Sequence, residues 1–256
     1  MTGVTEARHR MTAPILSASP LASLTELIDM ALDKNVSGIP IMRSLDLVGM
    51  VSTSDLVCAI VRPEVVAGTQ PCAQDIMQGP VITTGASTPI TDVARVLARE
   101  MVHRLVVVDH AHAVGVISPF DLLHEVKQRR IDTPLSALMV RAIAGIDLGT
   151  PLDEATGQLA RAHVHGLVVQ DGDRPVGLFT HREALSAFRQ AALPRAVPVE
   201  ELMSYAVIRL EEDTPVHRAA AYALAMDVRR ILVMSGDRVA GIVSALDLIS
   251  TLAPMA

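Results

Sequence analysis

Methionine recurs at Met11, Met77, Met139 and Met203, and each is followed 38 residues later by a glycine, at Gly49, Gly115, Gly177 and Gly241. Three residues beyond each glycine stands a hydroxyl, and three beyond that a carboxylate: Ser52/Asp55, Ser118/Asp121, Thr180/Glu183 and Ser244/Asp247. No insertion or deletion interrupts this spacing, and the glycines follow one another at 66, 62 and 64 residues. Such a period marks one supersecondary unit copied four times, each copy too small to bury its own apolar faces. Function must then be built where copies meet.

Within each copy the local signals agree. Twelve residues past the methionine come Ser23, Pro89, Pro151 and Pro215, the last three preceded by Thr88, Thr150 and Thr214. Thr-Pro predicts a helix start, with Thr capping and Pro at the first helical position. Apolar residues then fall at i, i+3, i+4 and i+7, as in Leu24, Leu27, Ile28 and Ala31, or Ile90, Val93, Ala94 and Leu97. That is an amphipathic helix buried on one face. A valine follows in every copy (Val36, Val102, Val164, Val228), then a short β-rich run, a polar turn, and a second strand through the glycine. The hydroxyl opens a second helix. The predicted fold is α/β (α+β), four βαββα units at about 9–62, 71–128, 132–190 and 196–253. Pro- and Gly-rich linkers at Pro63–Cys72 and Ala191–Pro198 suggest two modules, 1–130 and 131–256.

Composition narrows the function. Half the residues are apolar but only 2% are aromatic, so the core must be aliphatic. The net charge is −6 and the only lysines are Lys34 and Lys127, leaving no basic stripe for a nucleic-acid backbone. Cys58 and Cys72 lack CxxC spacing and read as free thiols of a reducing compartment. The start MTGVTEARHR has no apolar signal core, and no apolar run approaches the roughly 20 residues of a membrane span. A cytoplasmic protein without membrane insertion is the expectation. No Ser-His-Asp, HExxH, P-loop or GxGxxG pattern occurs in a credible context, so no catalytic residue is expected. His110-x-His112 and His163-x-His165 read as turn and helix-end residues, and no metal site is expected.

The Ser/Thr-x-x-acid pair admits two readings. One is a capping box, in which the hydroxyl caps the helix and the acid reaches back. The other adds a ligand, because a helix N-terminus with a hydroxyl can seat a phosphate or a ribose.

The signatures GMVSTSDL, GVISPFDL, GLFTHREA and GIVSALDL make the chain resemble four tandem CBS (cystathionine β-synthase-type) domains in two Bateman modules. The stretch VHRLVVVD followed by GVISPFDL is similar to γ subunits of AMP-activated protein kinase. The resemblance implies a regulatory, non-enzymatic protein that binds AMP, ADP or ATP, or alternatively S-adenosylmethionine, in clefts between paired repeats. It would transmit that state to a partner protein that the sequence does not name. A scaffold with vestigial clefts is the competing reading. Four repeats in one chain leave both a monomer, closing into a disc, and a homodimer open. The resemblance gives ribose binding to Asp55, Asp121 and Asp247, and a weaker role to the longer Glu183. Ser52, Ser118, Thr180 and Ser244, with His103, Arg104, Arg229 and Arg230, would meet phosphate. Adenine would lie against Ile82, Val102, Ile208, Val228 and Val36. His-Arg and Arg-Arg follow the recurrent valine in the second and fourth copies, whereas Ser37-Gly38 and His165-Gly166 replace them in the odd ones. This asymmetry suggests one strong site per module.

Overall fold

The computed structural model describes residues 4–162, 164–190 and 197–253. In the first repeat α1 (Leu24–Asp33) leads into β1 (Gly38–Arg43), β2 (Asp46–Ser52) and α2 (Thr53–Ile60), with one-turn helices α3 (Pro63–Val66) and α4 (Ala73–Ile76) in the linker. The second comprises β3 (Thr83–Gly85), α5 (Ile90–Arg99), β4 (Leu105–Asp109), β5 (His112–Ile117) and α6 (Pro119–Gln128). The third comprises β6 (Gly145–Asp147), α7 (Leu152–Ala162), β7 (Gly166–Asp171), β8 (Arg174–Thr180) and α8 (His181–Arg189). The fourth comprises β9 (Ile208–Glu211), α9 (Val216–Met226), β10 (Arg230–Ser235), β11 (Arg238–Ser244) and α10 (Ala245–Ser250).

Three repeats follow the expected βαββα order, each with a three-stranded sheet whose first strand runs parallel to the second and whose last two form a hairpin. The first repeat departs: its sheet has two strands, and a single bridge, Ala18 to Ile41, stands where the others have a strand. Pro40 explains the loss. In the second repeat the amide of Val106 donates to Ile82, and in the third that of Val168 donates to Ala144. Pro40 occupies the corresponding rung and has no N–H to give. All four hairpins share two-residue loops and a bulge at one place, beside Gly49, Gly115, Gly177 and Gly241.

The first helices begin one residue later than Thr-Pro predicts. Pro89 and Pro215 are the N-caps themselves, and neither offers a side-chain acceptor. Backbone carbonyls from elsewhere take the first helical amides: Leu24 donates to Pro71, Ile90 to Thr5, Leu152 to Val197 and Val216 to Thr133, each at 2.9 Å. In every case the accepting carbonyl belongs to the segment that opens another repeat. The same segments also pair with the second hairpin strand, through Met50/Gln78, Val116/Thr12, Ile242/Val140 and Leu178/Ser204. The lead-in of repeat one thus lies on repeat two and that of repeat two on repeat one. Repeats three and four exchange in the same way.

The recurrent methionines and glycines meet through this exchange, not within their own copies. A Cβ built on Gly49 would come within 2.5 Å of Met77 Sδ, one on Gly115 within 2.9 Å of Met11 Sδ, and those on Gly177 and Gly241 within 2.7 Å of Met203 and Met139. The thioether fills the space that any larger residue would occupy. The methionines fill the seam where repeats meet.

Two compact units result, and they interleave along the chain. One comprises 1–15, 82–143 and 207–256, and the other 16–81 and 144–206. The first unit's core joins α5 and α6 residues such as Val93, Leu97 and Leu122 to Ala219, Ala220 and Leu248 of the fourth repeat. The second unit's core joins Leu27, Ile28 and Val57 to Leu152, Phe179 and Leu185. Compactness therefore groups the second repeat with the fourth and the first with the third, a division different from 1–130 and 131–256.

Candidate functional site: four acid-closed helix ends

Each second helix is preceded by an extended residue, the recurrent hydroxyl, so its first amides point outward and need acceptors. Ser52, Ser118, Thr180 and Ser244 all occupy this N-cap, and all four capping boxes are closed. Asp55 Oδ2 accepts from the Ser52 amide at 2.7 Å and from its hydroxyl at 2.6 Å. Asp121 does the same with Ser118, both at 2.7 Å, and Asp247 with Ser244 at 2.7 and 2.6 Å. Glu183 accepts from the Thr180 amide at 2.9 Å and from the Thr180 hydroxyl. Its extra methylene is absorbed without opening the box. In each aspartate cap the accepting atom is Oδ2, so Oδ1 takes no part in the cap. The first helical amide is also used in places: Thr53 donates to Ser37 and Ala245 to Arg229.

The first unit holds Asp121 and Asp247, and with them every basic residue singled out from the sequence. His103, Arg104 and Arg230 are half-buried at the entries to β4 and β10, while Arg229 is exposed. Both cationic repeats thus fall in one compact unit. Arg229 of the fourth repeat lies over the Phe120 ring of the second, 5.5 Å from its centroid. Phe120 is the neighbour of Asp121, and the Arg229 charge acts on that carboxyl. Burial nevertheless prevails and pushes the Asp121 carboxyl above the usual aspartate value; the Ser118 hydrogen bonds, Arg229 and His124 pull the other way. Ile82, Val102, Ile208 and Val228 are half-buried and pack on this unit's core. Val102 and Val228 also donate backbone bonds to Leu97 and Ala223, closing the ends of α5 and α9 after the left-handed Met101 and Asp227.

The second unit holds Asp55 and Glu183. Here the cation beside the acid is Arg182, and it is committed to structure. Its guanidinium donates to Asn35 Oδ1 at 3.1 Å and to the Leu32 carbonyl at 3.4 Å, capping the C-terminal end of α1 from another repeat. Arg189 reaches the same helix through Asp33 at 2.6 Å and Asp29 at 3.7 Å. Burial raises the Glu183 carboxyl, opposed by Thr180 and Arg182. Val36 packs on this core and donates to Ala31. His165 and the buried His181 meet edge to face, with ring centroids 5.5 Å apart; His163 lies outside the described residues. Sequence reasoning missed Phe120 with Arg229, and Arg182 with Asn35. Each is a contact between non-adjacent copies that spacing does not encode.

Other features are quieter. Among the described residues no group of three His, Cys, Asp or Glu side chains could hold a metal, and no helix is long and apolar enough to cross a membrane. Both thiols are free and pushed up, Cys58 by burial and Cys72 by its bond to Asp75. Two surface concavities, about 430 and 420 Å³, contain none of the capping-box residues.

The profile of the CBS domain matches residues 4–62, 73–128, 135–190 and 199–254, so the chain belongs to the CBS-domain family, with four such domains in tandem. Protein MJ1225 from Methanocaldococcus jannaschii, described as a candidate archaeal homolog of g-AMPK, has a similar fold: TM-score 0.86 at 17% identity, over 97% of this chain and 100% of that one. An uncharacterized conserved protein from Pyrococcus horikoshii superposes with a TM-score of 0.68 at 18% identity, over 97% of this chain and 100% of that one. In sequence, an A-adding tRNA nucleotidyltransferase of Geobacter sulfurreducens is 30% identical over 112 residues, 44% of this chain but only 12% of that enzyme. Protein MJ1404 of Methanocaldococcus jannaschii is 26% identical over 158 residues, 56% of this chain and 38% of that protein. The matched stretches are thus minor parts of these curated relatives.

Proposed function

We propose that the chain is a non-enzymatic sensor of an adenosine-bearing ligand, AMP, ADP or ATP, and that it binds this ligand at the acid-closed helix ends of the first unit. The observation that carries the reading is the corner at Asp121. A half-buried carboxylate with one oxygen outside its cap, an aromatic neighbour and a cation from a second repeat stand together there. A carboxylate can accept from both ribose hydroxyls, while guanidinium forks suit phosphate oxygens. Asp247 offers the same cap in the same unit, with Arg229 just before β10, Arg230 opening that strand and Arg104 just before β4. Because such a ligand would touch residues of two repeats, binding favours one arrangement of those repeats over others. That preference is the free energy a regulated partner protein would read.

One observation favours a second reading, a scaffold with no ligand: all four acids already serve as helix caps. Thermal unfolding with AMP, ADP, ATP, adenosine and S-adenosylmethionine separates the two. A ligand at 100 times its dissociation constant stabilises the fold by about 2.7 kcal/mol. Arg104→Ala and Arg230→Ala should weaken the phosphorylated ligands and spare adenosine. No shift with any compound at millimolar concentration would favour the scaffold, and a shift with S-adenosylmethionine alone would move the ligand class.

A further inference from the structure

We propose that the groove between the end of α6 and the start of α9, in the first unit, is a separate anion site that takes a phosphate-bearing small molecule. The groove is lined by Lys127, Arg130, Asp132, His217, Arg218 and Ala221, and is an open concavity of about 430 Å³. That volume lies within the roughly 300–1,000 Å³ typical of small-ligand sites. None of the residues at the capping boxes contributes to it.

The fold builds this groove. Past the end of α6 the chain turns through Arg130, whose backbone is left-handed at φ 50°. It then runs along the first turn of α9, where Thr133 and Ile131 accept from the amides of Val216 and His217 at 2.9 and 3.1 Å. His217 is held by the same segment, with Nδ1 2.9 Å from the Ile131 carbonyl and 3.4 Å from Asp132. The leading amides of α9 are therefore occupied, and attraction for an anion must come from side chains.

Those side chains are concentrated against the trend of the molecule. The chain carries a net charge of −6 and only two lysines, yet Lys127, Arg130 and Arg218 face one groove that contains a single acid, Asp132. Arg129, between the first two, is drawn off by Glu125 at 3.0 Å. Among the described residues Lys127, Arg130 and Arg218 make no ion pair, and all three are exposed. Clustered like charges in a concave wall repel one another and focus a positive potential, which a multiply charged anion relieves. Arginine forks match phosphate oxygens, and a lysine adds a point charge. Among the described residues the one apolar side chain lining it is Ala221; Tyr222 and Met226, exposed on α9, are not part of the lining. Protein interfaces rely on buried aromatic anchors, so a small polar anion fits this lining better than a macromolecule does.

The test is calorimetric titration of the full chain with inorganic pyrophosphate and with tripolyphosphate. Binding should weaken when salt rises from about 50 to about 200 mM. It should fall by roughly tenfold or more in the variant Lys127→Gln/Arg130→Asn/Arg218→Gln, in which Asn suits the left-handed position. With the nucleotide corner filled by saturating AMP, wild type should still bind both probes. If the triple variant unfolds, Arg218→Glu alone must show the loss. Wild-type affinity in a folded triple variant, displacement by AMP, or no heat with either probe at millimolar concentration would each overturn the proposal. So would binding of a poly-glutamate peptide in the absence of pyrophosphate binding. The result is independent of the nucleotide reading, whose own failure appears in the adenosine and AMP titrations.

Discussion

The two compact units are built from the same repeat, yet their cross-repeat arginines are engaged differently. In the first unit Arg229 lies over Phe120 and acts on the acid of another repeat's cap. In the second unit Arg182 and Arg189 are tied to Asn35, Leu32, Asp33 and Asp29 at the end of α1. Both units set an arginine charge against a cap acid, but Arg229 reaches the acid of another repeat, whereas Arg182 sits beside its own Glu183 and commits its guanidinium to α1 of another repeat. The shared frame of segment exchange and capping boxes therefore sets the architecture. What distinguishes the units is the handful of residues just before the strands and in the first turn of the second helices.

The largest stability effect should show that the frame is common to both units. Gly177→Val and Gly241→Val each drive a side chain into a methionine and should cost about 1–3 kcal/mol by chemical denaturation. A large cost in one unit and none in the other would break the equivalence of the exchange. Next, Arg182→Ala should lower stability by up to about 1 kcal/mol through the lost cap on α1, with ligand affinity unchanged. Arg229→Ala should do the reverse, weakening AMP with little change in the unfolding midpoint. Like losses in both properties for both variants would erase the contrast.

The smallest effect is a pH dependence. Burial raises the Glu183 carboxyl above its ordinary value of 4.5. The folded state then holds the proton more tightly than the unfolded chain does, so this group's contribution to stability falls as pH climbs from 4.5 through the raised folded value. Glu183→Gln keeps an acceptor for Thr180 and removes the titration. Its stability relative to wild type should be lowest in acid and increase towards neutral pH; a flat difference would mean that the carboxyl is not held up by burial.

Much of this was legible in the sequence. Fixed offsets disclosed four copies, apolar stripes located helices such as α1 and α5, and the hydroxyl–acid spacing located every second helix and its cap. The missing strand of the first repeat was also within reach, since Pro40 stands where a ladder donor is needed. The Met-to-Gly interval misleads in one respect: both residues belong to one seam type, but each methionine meets the glycine of a different copy. A period reveals that units are alike and says nothing of which ones touch. For the same reason the approach of Arg229 to Asp121, or of Arg182 to Asn35, could not be read from spacing.

The most direct test is calorimetric titration of AMP into wild type, Asp121→Ala/Asp247→Ala and Glu183→Ala. Sensing at the first unit predicts a loss of about tenfold or more for the double variant, as expected for removing charged hydrogen bonds, and near wild-type affinity for Glu183→Ala. Retained affinity in the double variant, or a greater loss from Glu183→Ala, would contradict it.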